Sequence, residues 1–181
     1  MAERWLVGRP ILFGAEIDYG GLRERIEPGA AVEWDPACVL CVDHRSGISP
    51  EHSPAQLLGR VGLNVWTRAD EDGVSMVAQL PETALAAETW ELVQAGILRG
   101  MSFAWDPVGE ISRFEQRENG GVLRVIERLG AIVDLAIVAW PAYPATSVEL
   151  MEPPAEQARV KRAALKAVAE RTAEIDRVIR G

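Results

Sequence analysis

The chain carries two histidines, His44 and His52, which narrows any reaction that needs an imidazole. Nucleophilic hydrolysis needs a hydroxyl or thiol, a base within hydrogen-bond reach and a third group that orients the base. Ser102 sits in Gly100-Met101-Ser102-Phe103-Ala104-Trp105, which period-two alternation divides into a bulky face (Met101, Phe103, Trp105) and a small one (Gly100, Ser102, Ala104). A hydroxyl flanked by small residues is open to a substrate backbone. Asp134 is the single carboxylate in the apolar run Ile132–Val138, and a buried carboxylate must be paired. Orienting a histidine satisfies it; so does pairing with Arg124 or Arg128. His44 follows the apolar run Cys38–Val42, and alternation puts it on the face of Leu40 and Val42, with Asp43 pointing away and poorly placed to orient it. Each residue also has a plain reading: a strand serine with no chemistry, a satisfied surface histidine.

A second chemistry occupies the same window. Cys38, Cys41, His44 and His52 supply a Cys-x-x-Cys followed by two histidines, the makings of a zinc site. Against it, cysteines three apart in a strand face opposite sides. A thioredoxin-like redox role is weaker, since no helix follows the pair. Two cysteines are also too few for a disulfide framework, which suits a reducing compartment.

The elements that must position these residues are mostly strands. Trp5–Tyr19 reads as short strands ending at the Gly20-Gly21 turn, and Ile26-Glu27-Pro28-Gly29-Ala30 reads as a turn leading into the strand Cys38–Val42. The polar stretch Ser46–Pro54 reads as a surface loop. Leu57–Thr67 and Val74–Leu80 read as a strand pair around Asp70-Glu71-Asp72-Gly73. Across Pro81–Leu98, Leu85, Thr89, Leu92, Val93 and Ile97 recur at helical spacing, with Gly96 weakening the end. The strand 100–105 follows, then a pair, Ile111–Gln116 and Val122–Arg128, around Asn119-Gly120-Gly121, then a strand Ile132–Trp140 stopped by Pro141. After Pro153-Pro154 an Ala, Arg, Lys and Glu composition with a stripe of Val160, Leu165, Val168, Ile175 and Ile179 reads as a solvated helix.

A chain of 181 residues buries roughly 70% of its unfolded surface, so no staples are needed. With 48% hydrophobic and 25% charged residues it is ordinary globular material. A net charge of −8 argues against nucleic acid as a partner, since phosphate contacts need clustered Lys and Arg. No apolar run approaches the roughly 20 residues that cross a bilayer, and residues 1–10 lack the form of a secretory signal. The expectation is a cytoplasmic protein with no membrane partner and no cofactor.

In order and spacing, several of these pieces resemble the prohead maturation proteases of tailed bacteriophages, a family related in fold to the herpesvirus assembly proteases. The pieces are Ile26-Glu27-Pro28-Gly29-Ala30, Val42-Asp43-His44, Leu58-Gly59-Arg60-Val61, Gln94-Ala95-Gly96-Ile97, Arg99-Gly100-Met101-Ser102-Phe103, Val133–Val138 and Pro141-Ala142-Tyr143-Pro144-Ala145. The resemblance spans about Gly14 to Glu149. It implies an α+β fold: a mainly antiparallel, herpesvirus-protease-like β-barrel with flanking helices. Residues 1–152 would form the protease domain and 153–181 a linker and C-terminal helical tail. It implies Ser102 as nucleophile, His44 as base and Asp134 as third member, with no metal. It further implies dimerisation, cleavage of capsid or scaffold protein inside an assembling shell in the host cytoplasm, and removal of the chain's own tail. Three positions depart from the family pattern. Asp134 stands where Glu is usual, Phe103-Ala104 where an aliphatic residue and Gly follow the serine, and Tyr143 where Asn lies between the prolines. These departures keep a protease-like, inactive scaffold as the alternative.

Overall fold

A computed structural model describes residues 3–19, 22–44, 56–118 and 120–151. Within them lie ten strands and one helix: β1 (Trp5–Leu12), β2 (Glu16–Tyr19), β3 (Leu22–Val42), β4 (Leu57–Arg60), β5 (Val65–Asp70), β6 (Gly73–Gln79), α1 (Ala84–Gln94), β7 (Gly100–Trp105), β8 (Ile111–Gln116), β9 (Val122–Val138) and β10 (Ser147–Met151). One sheet has the order β10-β1-β6-β5; the other runs β2-β3-β9-β7, with β4 on β3 and β8 on β9. The fold is mostly β, with one short helix and a curled, half-barrel sheet. Leu6, Ile11, Met76 and Ala78 from the first sheet meet Leu40, Met101, Leu135 and Ile137 from the second in one core.

The spine of the second sheet is the long parallel pairing of β3 with β9, from Arg23 beside Leu123 to Val42 beside Ile137. The other ladders are antiparallel. Asp134 to Val138 of β9 are buried on both faces, the condition under which a strand reads as a continuous apolar run. Two expected breaks are absent. Ile26–Ala30 is not a turn but an irregularity inside β3, where Gly29 takes φ +79° and the register with β9 slips between Ile26 and Ala31. The expected strands 122–128 and 132–140 are one strand, because Gly130 serves close approach rather than a turn: a Cβ there would lie 1.7 Å from the Asp106 carbonyl oxygen. Conversely, Leu57–Thr67 divides into β4 and β5 at Gly62, whose φ is +84°.

Helix α1 starts where Thr83 Oγ1 accepts the Ala86 amide hydrogen bond at 3.2 Å. It ends at Gly96, whose φ of +69° turns the chain while the Ile97 amide donates to the Leu92 carbonyl. Ala86, Thr89 and Val93 form its buried face; Ile97 lies beyond the helix and is exposed. Gly20-Gly21, Ser46–Pro54 and the C-terminal helix fall outside the described residues, as does His52.

Candidate active site

The site is built on one face of three adjacent strands. In the ladders, Ser102 of β7 lies opposite Ala136 of β9, which lies beside Cys41 of β3; Ala104 lies opposite Asp134, which lies beside Val39. Opposed residues share a face, so Ser102, Ala104, Ala136 and Asp134 stand on one side. The other side holds Leu40, Met101, Phe103 and Leu135, all in the main core. The division of β7 into a small face and a bulky face is thus the division between site and core. Cys41, Ala136 and Val138 form a second small cluster under the site.

His44 reaches this face by a route that alternation does not describe. Val42 is level with Ile137, so a straight continuation of β3 would carry His44 five positions past Asp134, roughly 16 Å along the strand. Instead Asp43 adopts φ +60°, the one positive-φ non-glycine among the described residues. Aspartate tolerates this left-handed conformation better than most residues. Its Oδ1 accepts the His44 amide hydrogen bond at 3.0 Å, and its own amide donates to the Ile137 carbonyl at 3.0 Å. The turn folds His44 back over the sheet, and its Nδ1 lies 2.9 Å from Asp134 Oδ1. His44 is therefore not on the Leu40 face; Asp134, not Asp43, meets its ring nitrogen, and the Asp43 side chain holds only the His44 main chain.

The side chain of Asp134 is 7% exposed and that of His44 30%. The alternative partners of Asp134 are engaged elsewhere: Arg124 binds Glu24 and Glu110, and Arg128 binds Glu33. His44 Nε2 is buried and makes no hydrogen bond among the described residues. Ser102 is a diagonal neighbour of Asp134, and such neighbours lie about 7–8 Å apart. That is the span an imidazole bridges when each nitrogen makes one hydrogen bond. Such an arrangement can fix the ring's tautomer from one side and draw a proton from a hydroxyl on the other.

The cysteines occupy separate surroundings. Cys38 is in the main core and Cys41 in the small cluster, as expected for opposite faces. Burial, then the charges of Asp134 and Asp35, push the Cys38 thiol up to about 12. Burial, then Asp134 and Asp43, push Cys41 up as well. Metal ligation and redox chemistry use the thiolate, the form this setting disfavours.

What the sequence did not reveal is the support around β7. The Tyr143 hydroxyl donates to Glu24 Oε1 at 3.0 Å and its ring packs 6.1 Å from that of Phe103. Burial, then the Glu24 charge, push the phenol well above its ordinary range. The Phe103 and Tyr143 departures from the family pattern thus touch each other.

No curated protein and no solved structure matches this chain. A family model described as caudovirus prohead serine protease matches residues 6–160, a span that holds Ser102, His44 and Asp134. By that match over most of its length, the chain belongs to the caudovirus prohead serine protease family.

Proposed function

We propose that this chain is an active serine endopeptidase that cleaves capsid or scaffold protein during procapsid maturation. Ser102 is the nucleophile, His44 the base and Asp134 the group that orients it. The observation that carries the reading is the 2.9 Å contact of His44 Nδ1 with Asp134 on the face that also bears Ser102. Ser102 Oγ attacks the peptide carbonyl carbon while His44 Nε2 takes its proton. The imidazolium so formed is stabilised by Asp134, and it returns the proton to the departing amine. Water then hydrolyses the acyl-enzyme by the same exchange in reverse order. No described helix is long and apolar enough to cross a membrane, and the chain's negative charge does not favour a polyanion.

Family membership supports the wider parts of the same reading: action inside the assembling procapsid in the host cytoplasm, a homodimer, a protease domain over 1–152, and removal of the tail after Pro153. The test is co-expression with a candidate capsid-protein substrate. Ser102→Ala should abolish both capsid cleavage and self-cleavage, whereas Ser75→Ala should leave both intact. Unchanged processing in the Ser102 variant overturns the assignment, and a wild-type chain that assembles with capsid protein but cuts nothing favours the inactive scaffold.

A further inference from the structure

The segment after β9 reaches β7 on both sides of Ser102. Pro141 covers Gly100 so closely that a Cβ there would lie 2.6 Å from Pro141 Cγ. Tyr143 packs on Phe103. Between them, Thr146 takes hold of the main chain of Met101, the residue before Ser102. Its Oγ1 accepts the Met101 amide hydrogen bond at 3.1 Å and lies 2.6 Å from the Met101 carbonyl oxygen and 2.9 Å from that of Tyr143. A hydroxyl has one proton, so it donates to one carbonyl at a time, and the Met101 carbonyl is nearer. Thr146 is 5% exposed.

On that side a strand reaches only the start of β7, where the Val148 amide of β10 donates to the Arg99 carbonyl at 3.1 Å; β9 is the only ladder partner of β7 among the described residues. An edge strand's main chain is free to fray or shift. A buried hydroxyl that both accepts and donates replaces the missing peptide group of a neighbouring strand.

We propose that Thr146 is a positioning residue for the nucleophile: by pinning both main-chain polar groups of Met101 it fixes the backbone that carries Ser102. The proposal rests on Ser102 being the nucleophile. It distinguishes positioning from mere stability, because a misplaced hydroxyl loses rate even in a folded protein.

The test is the rate at which a fluorophosphonate probe acylates the full-length protein, with the labelled residue located by mass spectrometry. It is measured across pH and well below the melting temperature of each variant. Thr146→Ser, which keeps the hydroxyl, should react within about threefold of wild type. Thr146→Val, equal in shape but without the hydroxyl, should react about 10- to 100-fold more slowly. The pH of half-maximal rate, a property of the base, should stay where it is. A Val variant that reacts at the wild-type rate overturns the proposal, as does a Ser variant slowed as much as the Val variant. Should the Val variant not fold, Thr146→Ala takes its place under the same criteria. Wild-type protein unlabelled at Ser102 refutes the nucleophile assignment instead, a separate outcome.

Discussion

Among the described residues two carboxylates are buried, Glu24 and Asp134, exposed by 6% and 5%. Both stand on the central strand pair, Glu24 on β3 and Asp134 on β9, and both have a nitrogen partner. Glu24 accepts from Arg124 at 3.2 Å and from the Tyr143 hydroxyl at 3.0 Å. Asp134 faces the imidazole of His44. Burial alone does not separate Glu24 from Asp134, the acid proposed to orient the base; the partner does. A guanidinium stays charged throughout the accessible pH range and returns no proton, whereas an imidazole exchanges its proton near neutrality. The Glu24 network is closed on itself, and the Asp134 pair ends in a nitrogen still able to act.

Substitutions should break this comparison on the Asp134 side first. His44→Ala should lower turnover of a capsid-derived peptide by about 10⁴-fold or more, measured well below the variant's melting temperature. Asp134→Asn, which keeps the shape but favours the wrong tautomer, should follow at about 10³- to 10⁴-fold. Asp134→Glu sharpens the point. Because Asp134 already reaches Nδ1, an added methylene displaces the ring, and about a tenfold loss is expected rather than a gain, read from kcat on the same peptide. Glu24→Gln should reverse the pattern: activity within about twofold of wild type, but stability lower by about 1–3 kcal/mol in chemical denaturation.

The smallest effect concerns Glu110. Burial alone would raise its carboxyl, but hydrogen bonds from Trp105 and Arg124 outweigh burial and hold it below its ordinary value of 4.5. Its contribution to stability is therefore complete above that value and lost as pH falls through the lower folded-state value. The stability gap between wild type and Glu110→Gln should close on acidification below pH 4.5; a gap constant down to pH 2 contradicts this coupling.

Much of the site was legible because it depends on period two. Two faces on Gly100–Trp105 and a lone acid in Ile132–Val138 are local patterns, and local patterns survive into the fold. The position of His44 was not legible, since one residue in the left-handed region at Asp43 inverts what alternation predicts. The merging of two strands across Gly130 was equally hidden: the glycine answers to the Asp106 carbonyl, a tertiary neighbour. The choice of Glu24 and Glu110 over Asp134 as partners of Arg124 is likewise made by strand register. The ladders are mainly antiparallel, as the resemblance implied, but nothing in the sequence pattern signalled that the β3–β9 pairing at the centre of the second sheet is parallel.

That pairing also bears on timing. Strands distant in sequence must find each other before the histidine meets its acid, and contacts of such separation form slowly because loop closure precedes any stabilising contact. A chain still emerging from the ribosome, complete only through β7, already contains the serine and the histidine but has no β9 to join them. On the proposed assignment, a nascent chain cannot yet assemble the three groups, and they come together only once the last long strand docks.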